Sequence, residues 1–181
     1  VALAASEVRV GVTGAIYTAP SGTTVPTTVA GATTGFSQLG YVSEDGLVTS
    51  TSTDTNDIKA WQNGDLVRRV QTSHDFTLQF TMLQTNEKTL EVYYGNFTHG
   101  VGAADGSVQV TGEQGYRGAW VFDVVDDDQL IRIVVPDGQV TERQDVSYVN
   151  GDAVTYGVTI TCYPDANGVK AVIYFDTDAA S

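Results

Sequence analysis

Asp75-Phe76-Thr77-Leu78-Gln79-Phe80-Thr81-Met82 closes the stretch DLVRRVQTSHDFTLQFTM, Asp65 to Met82, and it alternates without a break. Phe76, Leu78, Phe80 and Met82 fall on one side of an extended chain; Asp75, Thr77, Gln79 and Thr81 fall on the other. A period of two is that of a β-strand, because successive side chains point to opposite faces. One face therefore belongs to a core, and the other to water or to a polar channel.

Working outward, the text just after this strand changes period. Thr85 or Asn86 can cap a helix that runs through Tyr94 and stops at Gly95. Leu90, Tyr93 and Tyr94 recur at the spacing of one buried stripe. Two to three turns are too few to be stable alone, so the helix must dock on a sheet.

Beyond Val101 the chain becomes a meander. Gly118–Val125 and Gln129–Val135 read as strands flanking an acidic turn at Asp126, Asp127 and Asp128. Asp137-Gly138, Asn150-Gly151 and Asn167-Gly168 mark further turns. Val154, Tyr156, Val158, Ile160 and Cys162 alternate with Thr155, Gly157, Thr159 and Thr161, which predicts another half-buried strand over 153–163. Val169 to Phe175 follows the last turn, and a polar tail ends the chain.

On the N-terminal side, Val8, Val10 and Val12 alternate with Glu7, Arg9 and Gly11, which predicts a strand with one buried face. Residues 19–35 are rich in Pro, Gly, Ser and Thr, and Pro20 and Pro26 favour an extended arm. Residues 42–63 carry a Thr/Ser/Asp run with no core face, and read as a long loop. The sum is a single mostly β domain over 1–181, a β-sandwich or barrel with one short α-helix packed outside and long extended arms and loops.

Composition narrows the function. The chain has 181 residues, 22 acids against nine bases and a net charge of −13. Such a surface repels phosphates, which disfavours nucleic-acid binding and attachment to anionic membranes. Arg68-Arg69 is the one adjacent basic pair, and on a strand its two members point to opposite faces. No apolar run approaches the roughly 18 residues of a transmembrane helix. The start, VALAASEVRV, lacks the basic and long apolar regions of a signal peptide, so a cytoplasmic product is expected.

No chemistry-bearing motif stands out. His74 and His99 have no partner at metal-ligand spacing, and the single Cys162 reads as a core thiol. The triple aspartate lacks the spaced ligands of a calcium loop. There is no G-x-S-x-G and no phosphate-binding Gly-rich loop. No catalytic residue, metal site or cofactor is expected. Trp61, Trp120, Tyr163 and Tyr174 would serve a carbohydrate-binding β-sandwich of the secreted or surface type if they formed an exposed row. An enzyme using carboxylates from separate strands would need a cleft holding a close acidic pair.

GVTGAIYTAPSGTTVPT (Gly11–Thr27), LGYVSEDGLVTSTSTDTNDIKAW (Leu39–Trp61), DLVRRVQTSHDFTLQFTMLQTN and KTLEVYYGN together resemble the major tail protein, or tail tube protein, of long-tailed, non-contractile bacteriophages. The resemblance spans roughly the first hundred residues. It implies the tail tube fold and a structural virion subunit, made in the host bacterial cytoplasm, that stacks in hexameric rings around a channel for DNA. It also implies partners: ring neighbours and stacked rings of the same chain, together with tape measure, tail terminator and distal tail proteins. DNA would pass without specific binding. In that frame Tyr41, Glu44, Asp45, Asp54, Asp57 and Trp61 are candidate contacts between rings. Segment 19–32 would touch a neighbour in the ring or the next ring. Thr77, Gln79, Thr81, Thr155, Thr159 and Thr161 are candidates to face an acidic, polar lumen.

Overall fold

In the computed structural model the described residues are 8–99, 106–112, 114–127 and 129–176. The expectations placed on Glu7, on Asp128 and on the tail after Asp176 lie outside them. The elements in chain order are β1 Thr13–Pro20, β2 Ser37–Gln38, β3 Val42–Lys59, β4 Leu66–Met82, α1 Glu87–Tyr94, β5 Thr98–His99, β6 Gly106–Ser107, β7 Arg117–Asp126, β8 Gln129–Arg143, β9 Tyr156–Cys162 and β10 Val172–Phe175. All pairings are antiparallel, and the main sheet runs β2-β1-β7-β8-β9-β4-β3 with β10 added on β8.

The sheet folds over on itself along β8. The first half of β8 pairs with β7 and β10, and the second half, from Gly138, pairs with β9. Between them the register with β7 slips: Gly118 faces Gly138, but Trp120 faces Val135. Asp137-Gly138, expected as a turn, is this bulge inside a continuous strand. Its geometry has two causes. Trp120 lies against Gly138, where a Cβ would stand 2.9 Å from the indole, and its Nε1 donates to the Gly138 carbonyl at 2.9 Å. Arg117 holds the Asp137 carboxylate, with Nε at 2.8 Å.

The two halves enclose one core. Phe80 from β4 meets Trp120 and Phe122 from β7 edge-on, at 6.2 and 5.7 Å between ring centres. Leu78, Met82, Val158, Ile160 and Cys162 complete it from the β4–β9 side, as their alternation requires. Burial raises the Cys162 thiol pKa to about 12, so it is a core thiol and no nucleophile.

α1 closes one end of this core. The Asn86 side chain accepts from the Thr89 N–H at 2.9 Å, and Gly95 ends the helix in the left-handed region at φ 89°. Asn86 is thus the cap. The buried side is Thr89, Val92 and Tyr93, with Leu90 and Tyr94 only partly covered. The stripe is rotated from the expected one because the Tyr93 ring packs on Tyr156 at 5.4 Å.

Two other expectations change. Val8, Val10 and Val12 are exposed, and β1 begins only at Thr13. That leading segment hangs on the far end of β7, where Val12 N–H donates to Val125 and nothing described covers the valines. Residues 42–59, expected as loop, are a strand of 18 residues paired to β4. β-branched threonine favours extended chain even where neither face is buried. The 21–36 segment does lack regular structure between β1 and β2. Arg132, buried with Asp123 in an ion pair at 2.6 Å, also donates to the Gly31 carbonyl and ties that arm down.

Two outcomes check this packing. Val92→Ala is expected to cost about 1.5–3 kcal/mol in urea unfolding, as for a fully buried valine, and Leu90→Ala less than that. The Arg117 hydrogen bond lowers the pKa of Asp137, so its contribution is present above the unfolded value near 3.8 and is lost as pH falls through the folded one. Asp137→Asn is therefore expected to lower Tm at neutral pH and to flatten its fall below pH 4.

Candidate assembly surfaces

The alternation that builds the core leaves a second face. In register across the sheet, Thr77 lies opposite Thr161 and Thr161 opposite Gln139; Gln79 lies opposite Thr159 and Thr159 opposite Glu142. Thr81 lies opposite Gly157. Neighbouring residues in register share a face. The structure thus brings Thr77, Gln79, Thr81, Thr159 and Thr161 together on one exposed to half-buried surface. Thr155 falls just before β9 and is not part of the ladder.

Sequence reasoning missed the contributions of β8 and β3 to this face. Thr141 shares a hydrogen bond with Thr161 at 2.9 Å between their hydroxyls, and Val48 and Ser50 of β3 continue the rows of Gln79 and Thr77. The signal was available only as a pairing register, which no single stretch of text contains. The face is built of hydroxyls and amides, with Glu142 as the carboxylate in its middle rows. At its margin Asp75 is paired to Lys170 at 3.3 Å. This face is therefore largely neutral.

The second surface is a ribbon. β9 pairs with β4 only over Thr77–Met82, so Thr51–Lys59 and Leu66–Phe76 continue without another strand beside them. At about 3.3 Å per residue they project roughly 30 Å. Two-stranded hairpins are marginal in water, so local pairs matter here. Arg69 Nε and Nη2 reach the two Asp57 oxygens at 2.6 and 3.0 Å, and Ser73 donates to Asp54 at 2.9 Å. The hydrogen bond from Arg69 holds the Asp57 pKa below its ordinary value. Ile58, Trp61, Leu66 and Val67 are exposed at the tip, and Trp61 is 98% exposed.

The six residues expected to work together between rings separate into two places. Asp54, Asp57 and Trp61 lie on the ribbon and its turn. Tyr41, Glu44 and Asp45 lie at the start of β3, beside a cavity whose other wall is the start of β1.

The aromatic residues do not form a row. Trp61 is at the ribbon tip, Trp120 is at the centre of the core, and Tyr163 lies under the Arg117 guanidinium at 4.9 Å. Among the described residues no group of three His, Cys, Asp or Glu is placed to hold a metal ion. No described helix is long and apolar enough to cross a membrane.

Comparison with known proteins gives one family: the profile described as phage tail tube protein matches residues 1–181. No curated relative matches the chain. Among solved structures it is similar to the tube-terminating cap of the anti-feeding prophage, with a TM-score of 0.54 at 8% identity, covering 97% of this chain and 96% of that one. It is also similar to a chain of the sheath/tube terminator of an extracellular contractile injection system, PVC, in its extended state. The TM-score there is 0.51 at 14% identity, covering 93% of this chain and 99% of that one. At such identities the likeness carries the fold alone.

Proposed function

We propose, from the premise that this chain belongs to the phage tail tube protein family, that it is the repeating subunit of a phage tail tube. Its role in the tail is structural. In this reading the subunits form hexameric rings, the rings stack, and the channel through them carries DNA towards the host. The tail is of the long, non-contractile type, and the subunit is made in the bacterial cytoplasm before entering the virion. Its partners are copies of itself, then tape measure, tail terminator and distal tail proteins. No catalysis, cofactor or metal has a part in it.

The observation that carries this reading is one sheet with two different faces and an unsupported ribbon at its edge. A monomer has no use for a ribbon projecting roughly 30 Å with a bare tryptophan at its tip. Burial against neighbours supplies one. Edge strands left open in a free molecule are closed when copies pair around a ring.

The channel wall in this reading is the Thr77, Gln79, Thr81, Thr159 and Thr161 face, extended by Gln139, Thr141 and Glu142. A wall of hydroxyls and amides offers a polyanion no cation to bind and no dense negative charge to repel it. DNA then slides through without counterion release, because there are no basic contacts to make. The other ends of the candidate set, Tyr41, Glu44, Asp45, Asp54, Asp57 and Trp61, work between rings, and the 19–32 arm works against a neighbour.

Electron microscopy of the purified chain is expected to show hollow tubes with an axial repeat. Removing Ser52–Asp75 and joining Thr51 to Phe76, which lie opposite each other, through an Asn-Gly turn shortens both strands together. That variant should keep its β circular dichroism and stay in solution, yet form no tubes. Normal tubes from it would show that the ribbon has no part in stacking. In a phage complementation assay, Gln79→Lys with Thr159→Lys should leave tubes intact and lower the yield of infecting particles, because two bases per subunit would then hold DNA in the channel.

A further inference from the structure

The sheet does not close. Its path ends at β1 and β2 on one side and at β3 on the other, and a cavity of about 900 Å³ lies between β1 and β3. Val12, Ile16, Val42, Leu47 and Phe122 give it an apolar lining. Its mouth is acidic. The β3–β4 register jumps from Val42–Met82 to Leu47–Phe80, which throws Ser43 to Gly46 off the ladder and leaves Glu44 and Asp45 exposed there. No lysine, arginine or histidine is among the described residues that line it. β2 covers β1 only at Tyr17 and Thr18, so no described strand takes the edge of β1 at Thr13–Ala15.

The other end of β3 is the inverse of this. The ribbon tip exposes Ile58, Trp61, Leu66 and Val67 beside Lys59 and Arg68, with Asp65 the one carboxylate in its turn. Asp57 is held by Arg69, and among the described residues neither Lys59 nor Arg68 has an ion-pair partner. The mouth at Glu44 and Asp45 and the tip at Lys59 are about 14 residues apart along β3, which separates the two features by roughly 45 Å. They cannot meet within one molecule.

We propose that the ribbon tip of one copy seats in the β1–β3 cavity of the next. Trp61 enters the apolar part, and Lys59 and Arg68 lie against Glu44 and Asp45 at the mouth. The contact joins two different surfaces and does not close on itself, so repetition generates an open filament. This rests on the tail tube reading and names the surfaces that join one ring to the next. It also explains why Tyr41, Glu44 and Asp45 stand so far from Asp54, Asp57 and Trp61: they belong to the two opposite sides of one contact.

The native thiol offers a quiet background for a cross-linking test, since Cys162 is buried. One full-length variant carries Gln62→Cys, beside the anchoring Trp61, and a second carries Ser43→Cys. Oxidising the two together should give covalent dimers at least about tenfold above either alone, a ratio that reflects a specific contact and not collision. A mixture no more cross-linked than its components would overturn the proposal. In a second arm, Glu44→Lys with Asp45→Lys should raise the concentration needed for tubes by about tenfold or more through like-charge contact with Lys59 and Arg68. Adding Lys59→Glu and Arg68→Glu to the same chain should restore assembly, and failure to restore it in a folded chain, checked by circular dichroism, counts against the pairing. Tubes from the unaltered chain with no mixed cross-link would remove this contact and leave the tube reading standing. Cross-linked linear oligomers without hollow particles would do the reverse.

Discussion

A tryptophan against a glycine sets the shape of this protein. Trp120 fits on β7 only because Gly138, against which its indole lies across the bulge, has no side chain, and the indole N–H then bonds to the Gly138 carbonyl. The bulge that accommodates the indole also bends β8, and the bend turns one sheet into two facing layers. Phe80 can reach Trp120 and Phe122 only across that bend. The core, the two outer faces and the open seam between β1 and β3 all follow from where β8 folds. A flat sheet of the same strands would have neither an enclosed core nor a polar face turned away from it.

Much of this was legible in the text wherever burial leaves a period. The strand at 75–82 and the one ending at Cys162 carry apolar residues on one side because a core covers that side, and the strands on either side of the acidic turn are apolar throughout because both of their faces are covered. The polar surface followed as the complement of the core, so five of its six expected members lie on it. β3 was not legible, because a strand solvated on both faces has no apolar period to show. Its threonines were the remaining signal, and they speak to backbone preference without naming a partner strand.

The opposite error occurred at Val8, Val10 and Val12. Alternation says that a chain has two faces, not that anything covers one of them. Asp137-Gly138 is a further case, in which a dipeptide common in turns serves a bulge. Telling the two apart needs the pairing register of β7 with β8. The division of the expected contact residues between two ends of the molecule was hidden for a similar reason. Tyr41 and Trp61 are close in sequence, and only the knowledge that an unbroken strand lies between them sets them far apart.

The unbroken course of β3 has a mechanical side. Along most of its length each residue is bonded sideways to β4, with the strand axis running from the β1–β3 seam to the ribbon tip. A pull applied at the tip and resisted at the seam acts along the strands, perpendicular to the hydrogen bonds. Such a load shears many rungs of the ladder at once, whereas a load across the strands would open them one at a time. A bend at the tip meets little resistance, because the ribbon is two strands thick. The strand pair is thus stiff in tension and compliant in bending, two properties that one element rarely combines without a second layer to brace it.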